Sequence, residues 1–224
     1  MKYYPVCLDV SNRDCLVVGG GAVAARKVKT LVECDARVTV ISPRFTEQLE
    51  KMKRPPAVDL IERPYAASDI CGRFLVIGAT DDESLNRQIS ADAERENILC
   101  NIADVPDACN FILPSIVDRG DLIVAVSTSG KSPAFARRLR KSLENQFGEE
   151  YRDFLRLMGA IRQKLLATAH APEAHKPLFE TLIDRGLLEL VRDGKVADIN
   201  GLLREVLGEG YDYRTLMQFN TDSE

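Results

Sequence analysis

The chain has 224 residues, 45% of them hydrophobic, with a formal net charge of −4 and a pI near 5.4. That length allows one large or two small domains with a real core, and the acidic balance excludes general nucleic-acid binding, which needs a basic footprint. Cys7, Cys15, Cys34, Cys71, Cys100 and Cys109 have no metal-ligand spacing, and Met1-Lys2-Tyr3-Tyr4-Pro5 opens without the apolar run of a signal peptide. With no stretch near the roughly 18 apolar residues of a membrane span, these features predict a soluble protein of the reducing cytoplasm with no membrane partner.

Tyr3 to Val10 reads as a strand, turned by Ser11-Asn12-Arg13-Asp14 into a second one, an opening hairpin at a sheet edge. Leu16 to Val18 then forms a short buried strand running into Gly19, Gly21 and Ala24, which is G-x-G-x-x-A in a strand-turn-helix setting. Gly19 makes the tight turn, Gly21 lets the backbone approach a pyrophosphate, and Ala24 lets the helix sit close on the sheet. Val28, Leu31 and Val32 give that helix one buried face, and Ala36 to Ile41 completes a βαβ unit. A dinucleotide site is the expectation, against the plainer reading of a structural glycine turn. The acid that usually holds a ribose 2′-hydroxyl is replaced by Ser42-Pro43-Arg44, so the motif leaves NAD and NADP open.

Arg44 to Met52 looks helical and ends at Lys53-Arg54-Pro55-Pro56. Val58 to Glu62, Phe74 to Ala79 and Ile98 to Ile102 are three further strands, with Thr80-Asp81-Asp82 capping a helix from about Glu83 to Glu96. The alternation predicts an α/β, Rossmann-like, doubly wound parallel sheet in which the segments after Gly19, Ile41, Ala79 and Ile102 share one cleft. Past it come a strand at Leu122 to Val126, the polar loop Ser127 to Ser132, and a helix from Pro133 to about Phe147 with Ser132 as N-cap. Arg137, Arg138, Arg140 and Lys141 make that helix basic, which fits an anion site or a solvated face. From Glu149 onward only helices are expected: a stripe of Tyr151, Phe154, Leu155, Met158, Ile161, Leu165 and Leu166, then Leu178 to Val191 and Ile199 to Leu207. His170 and His175, five apart, lack the spacing of a helical metal pair, and no protein metal site is expected. The domains divide as 1–113, nucleotide-binding; 114–148, a dimerisation and substrate-loop segment; and 149–224, helical.

Three segments together carry a resemblance: Leu16 to Lys27; Cys100 to Asp104 with Phe111 to Ser115; and Val124 to Pro133. In that order they resemble the precorrin-2 dehydrogenases of siroheme synthesis, including bifunctional forms that also insert iron into sirohydrochlorin. The resemblance implies NAD-dependent oxidation of precorrin-2 to sirohydrochlorin by a homodimer, with Fe2+ as a further substrate of the bifunctional forms. It places the key carboxylate on Asp104 and cofactor contacts on Ala22, Val23, Pro43 and Arg44, to which Gly19, Gly21, Ser42 and Thr80 are added by position. Substrate contacts are expected at Asn110, at Thr128, where some relatives carry serine, and at Lys131, Ser132 and Arg137, whose charge and place suit a substrate rich in carboxylates. Some family members are fused to a uroporphyrinogen methyltransferase; this chain ends at Glu224, and no methylation is expected of it.

Two alternatives stand beside this reading. Asp104 is either a base that takes a proton from the macrocycle or a loop cap ahead of Pro106. The whole chain is either that enzyme or a nicotinamide-sensing regulatory module without catalysis, a class that depends on the acid missing after the second strand.

Overall fold

In the computed structural model, residues 2–167 and 172–219 are described. They fall into two compact units, Met1–Leu113 with Ser129–Lys131, and Pro114–Thr128 with Ser132–Glu224.

The first unit is a five-stranded, all-parallel sheet of order β3-β2-β1-β4-β5. Its strands are β1 (Asp14–Val18), β2 (Arg37–Ser42), β3 (Val58–Glu62), β4 (Leu75–Gly78) and β5 (Leu99–Ile102). They alternate with α1 (Ala22–Glu33), the short α2 (Glu47–Glu50) and α3 (Glu83–Arg95). β1 and β4 are near-continuous apolar runs because helices cover both faces. One face packs Ala24, Ala25, Val28 and Leu31 of α1 onto Cys15, Val17, Val38, Val40 and Ile77. The other sets Ile89 and Ala93 of α3 against Leu16, Val18, Ile41 and Val76. Asp82 caps α3 by accepting from the Leu85 N–H at 3.0 Å.

Two expectations need correction here. Residues 3–10 form no strand, because β1 is the central strand and both its edges are already taken by β2 and β4. Tyr4, Val6 and Leu8 are left exposed on that extended lead-in. The helix expected over Arg44 to Met52 shrinks to Glu47–Glu50, since only Leu49 of it is fully buried and Phe45 and Met52 pack partly. Between β3 and β4 the crossover is a 3-10 turn at Ala67–Ile70, held by Asp69 accepting from both Arg63 and the Ala66 N–H.

The second unit opens with an antiparallel hairpin, β6 (Ser115–Arg119) and β7 (Leu122–Val126), followed by α4 (Pro133–Gln146). Sequence reading missed β6 because its half-exposed pattern, Ser-Ile-Val-Asp-Arg, lacks an apolar run. Arg119 donates to the Phe147 carbonyl at 2.8 Å and to that of Glu144 at 3.2 Å, fastening β6 to the end of α4. Then come α5 (Glu150–Ala167), α6 (Pro172–Asp184), α7 (Leu187–Arg192), α8 (Val196–Leu207) and α9 (Tyr213–Phe219) around one core. The α5 stripe buries Leu157 and Ala160 with Phe154, Ile161 and Leu165 and leaves Leu166 exposed, a slight rotation from the expected face. The helix expected over Leu178 to Val191 is broken at Gly186, whose φ of 78° is left-handed, and α9 was not foreseen. His175 is buried on α6, while His170 lies outside the described residues.

Candidate active site

The register aligns Val18 with Ile41 and Gly78, and Gly78 with Ile102, so four strands end level with one another. Backbone bonds continue across these ends: Gly19 N–H to Ile41 at 2.9 Å, Ala79 N–H to Val18 at 2.8 Å, and Ala103 N–H to Gly78 at 2.8 Å. The loops bearing Gly19 to Val23, Ser42 to Arg44, Thr80 and Asp104 therefore leave the same edge of the sheet.

The glycine turn is wedged between two of those loops. Gly19 has φ of +129°, and a Cβ there would lie 2.2 Å from the Ala79 carbonyl oxygen. At Gly20 a Cβ would lie 1.8 Å from the Arg44 carbonyl oxygen and 2.7 Å from Ser42 Oγ. Gly20 carries no assignment in the G-x-G-x-x-A motif, yet it makes one of the two closest approaches in the turn. Gly21 differs: as N-cap of α1 it is extended, and a Cβ there would meet nothing within 4 Å. No side chain caps α1, so its first N–H groups face open space at the positive end of the helix, which suits a diphosphate.

Around the turn, Ala22, Pro43 and Arg44 are exposed and Val23 is half-buried. Ser42 is buried, and its Oγ accepts from the Arg44 N–H at 3.4 Å, shaping the loop. The Thr80 hydroxyl accepts from the Asp82 N–H at 3.2 Å and lies 3.1 Å from Oδ1 of buried Asn86. It thus has local partners within the loop after β4.

Asp104 follows β5 in the left-handed region, with φ of 61°, a conformation aspartate tolerates better than most residues. Its carboxylate is exposed and makes no hydrogen bond or ion pair among the described residues. The 3-10 turn at Pro106–Ala108 has no side-chain cap, so the capping alternative finds no support in the geometry. The loop is closed from within by Cys109, whose sulfur accepts from the Ile102 N–H at 3.1 Å and lies 3.2 Å from the Val105 carbonyl oxygen. Asn110 is used structurally: its Oδ1 accepts from the Cys100 N–H at 2.7 Å and its Nδ2 donates to the Ile98 carbonyl at 2.8 Å. An amide so placed supplies the edge strand β5 with the partners a sixth strand would give.

In the second unit, Thr128 Oγ1 accepts from the Ser132 N–H at 3.1 Å, and Ser132 Oγ caps α4 by accepting from the Phe135 N–H at 3.2 Å. Arg137 is exposed on α4, whereas Arg140 is paired with Glu144. Lys131, also exposed, sits in the loop grouped with the first unit. Among the described residues, no cluster of His, Cys, Asp and Glu could hold a metal ion. None of the described helices is long and apolar enough to cross a membrane.

Two family models match in chain order: one described as "Putative NAD(P)-binding" over residues 6–115, and one described as sirohaem biosynthesis protein central over residues 119–146. The siroheme synthase of Thioalkalivibrio sulfidiphilus is 38% identical over 214 residues, 96% of this chain and 44% of that protein. That of Salmonella schwarzengrund is 33% identical over 215 residues, 96% of this chain and 47% of its own. The chain thus spans a little under half the length of these relatives. The solved structure of SirC, a precorrin-2 dehydrogenase, shares the fold with a TM-score of 0.72 at 24% identity, covering 91% of this chain and 98% of SirC. Both models in sequence, and a match to siroheme synthases along nearly the whole chain, place this protein in the siroheme synthase family.

Proposed function

We propose that this chain oxidises precorrin-2 to sirohydrochlorin with NAD, working as a homodimer. The observation that carries the reading is Asp104: an exposed carboxylate with no hydrogen-bond or ion-pair partner of its own among the described residues, on the same sheet edge as an open glycine turn. The N–H groups at the start of α1, beside Gly21, Ala22 and Val23, hold the diphosphate, with Ser42, Pro43 and Arg44 on the neighbouring loop. Bound NAD supplies the hydride acceptor. Asp104 takes the proton that the macrocycle loses as its ring system becomes conjugated, and a carboxylate with no competing partner is available to do so. The same carboxylate is our acceptor for the pyrrole protons released when ferrous iron, a second substrate, enters sirohydrochlorin. Thr128, Lys131, Ser132 and Arg137 meet the substrate's carboxylates.

The homodimer draws its support from the hairpin. Ile116, Asp118, Ile123 and Ala125 share one face of β6–β7, and all four are exposed, while Val117 and Val126 on the other face are buried. Both outer edges of this two-stranded sheet are also unpaired among the described residues. Phe135 and Leu139, one turn apart on α4, are exposed as well. A cytoplasmic location fits the absence of any disulfide among the six cysteines. The regulatory-module alternative gains nothing from the comparisons and lacks its acid after β2.

An anaerobic assay tests the reading. NADH is expected only when precorrin-2 and NAD are both present, with sirohydrochlorin formed in equal amount, and siroheme when ferrous iron is added. Protein that retains neither NAD nor any tetrapyrrole in a titration sinks the proposal.

A further inference from the structure

Asn86, in the first turn of α3, is a polar side chain only 5% exposed. Its amide meets one residue of the loop after β4 twice: Nδ2 donates to the Thr80 carbonyl at 3.0 Å, and Oδ1 lies 3.1 Å from the Thr80 hydroxyl. Gly78 makes room for it, since a Cβ at that last residue of β4 would lie 3.2 Å from Asn86 Oδ1 and 2.6 Å from Ile102 Cδ1. A carbonyl can only accept, so the amide nitrogen faces it and the amide oxygen is left for the hydroxyl. A buried amide oxygen needs a donor, and among the described residues no other donor reaches Oδ1. The competing acceptor, the Asp82 carbonyl at 3.2 Å, already receives the Asn86 N–H at 3.0 Å. The Thr80 hydrogen therefore points inward to Asn86. One lone pair of the same oxygen takes the Asp82 N–H at 3.2 Å, which leaves the other over on half-buried Thr80. This loop also walls the glycine turn: a Cβ at Gly19 would lie 2.2 Å from the Ala79 carbonyl oxygen and 3.3 Å from the Thr80 nitrogen.

We propose that Asn86 is a positioning residue of the dinucleotide site, turning the Thr80 hydroxyl so that it offers a bound nucleotide an acceptor and no donor. A phosphate oxygen, which only accepts, gains nothing from a hydroxyl so turned. A ribose hydroxyl, which can donate, is its match. The inference rests on reading the glycine turn as the place of the diphosphate, which sets the nucleotide beside Thr80. The competing role for Asn86 is confined to the fold, its amide bracing the start of α3 with no consequence for the nucleotide.

Two variants of the full chain separate these roles. Asn86→Leu keeps the size and removes both bonds to Thr80; Thr80→Val removes only the hydroxyl. With precorrin-2 as the other substrate, each should raise KM for NAD about 5- to 10-fold, the worth of one neutral hydrogen bond, while kcat stays within about twofold. Thr80→Ser, which keeps the hydroxyl, should restore most of the affinity. In a Thr80→Val background, Asn86→Leu should cost less than about twofold more, because it acts through a group already gone. Among NAD analogues each lacking a single ribose hydroxyl, one should bind wild-type protein about 5- to 10-fold more weakly than NAD does. Thr80→Val should bind that analogue and NAD alike. If Asn86→Leu does not fold, Asn86→Ala takes its place in each measurement. A wild-type KM for NAD in Asn86→Leu overturns the proposal. So does an undiminished loss in the Thr80→Val background, or the lack of any analogue whose deficit Thr80→Val removes. Wild-type protein that retains no NAD removes the reading of the glycine turn beneath it, so the two failures are told apart.

Discussion

The glycine turn of the first unit and the hairpin of the second solve opposite problems with equally short stretches of chain. At Gly19 and Gly20 the space a Cβ would need is filled by Ala79 and by Ser42 and Arg44 of the same unit, and the turn is fixed by steric exclusion. Around β6 and β7 one face is filled and the other is bare, with Ile116 and Ile123 facing outward. A turn completed within one chain presents a finished surface to a cofactor. A two-stranded sheet open on one face is marginal by itself and calls for cover.

The comparison breaks most visibly at the hairpin. Aspartate at Ile116 or Ile123 should weaken self-association about thirtyfold or more, the scale of an interface hot spot worth about 2 kcal/mol. Sedimentation at several concentrations reads this directly, and unchanged association would mean that the bare face is not the contact. Each unit should keep its own secondary structure by circular dichroism, since neither side chain is buried in the described chain.

Within the turn, two adjacent glycines should part company. Gly20→Ala drives a methyl into the Arg44 carbonyl, which is backbone and cannot rotate away, so a loss of about 2 kcal/mol or more is expected in a denaturant melt. Gly21→Ala meets nothing in the protein and should leave stability within about 0.5 kcal/mol of wild type. It should nevertheless weaken NAD binding, because the added methyl occupies the space at the start of α1. Equal effects of the two substitutions on stability would contradict the steric account.

A smaller effect is expected at the sheet edge. Asn110→Ala leaves the Cys100 N–H without its 2.7 Å acceptor, at a cost of about 1–2 kcal/mol. Amide exchange should quicken along β5 before it does along β1. The smallest effect concerns the thiols: burial pushes Cys15 up to about 11 and Cys100 up to about 12. Near pH 8 both should resist alkylation while exposed Cys7 and Cys71 are modified.

What could be read in advance followed from local pattern. Apolar runs gave the five parallel strands, and glycine spacing beside a helix-period segment gave the turn. Lost from view was whatever depends on which neighbours a segment meets. Residues 3–10 have a strand's composition, but β1, the strand they lead into, is already paired on both edges. β6 is invisible because its own stretch, Ser-Ile-Val-Asp-Arg, holds no apolar run. At the site, the resemblance to a known family pointed to Asp104, but the closing of its loop by Cys109 and the bracing of β5 by Asn110 are tertiary contacts that no sequence pattern encodes.

The most direct measurement is the turnover of Asp104→Asn with precorrin-2 and NAD, taken beside its affinity for NAD and its melting curve. Loss of a positioned base predicts a fall in kcat of about 100- to 10,000-fold, with folding and NAD affinity unchanged. Wild-type turnover by that variant would contradict the account.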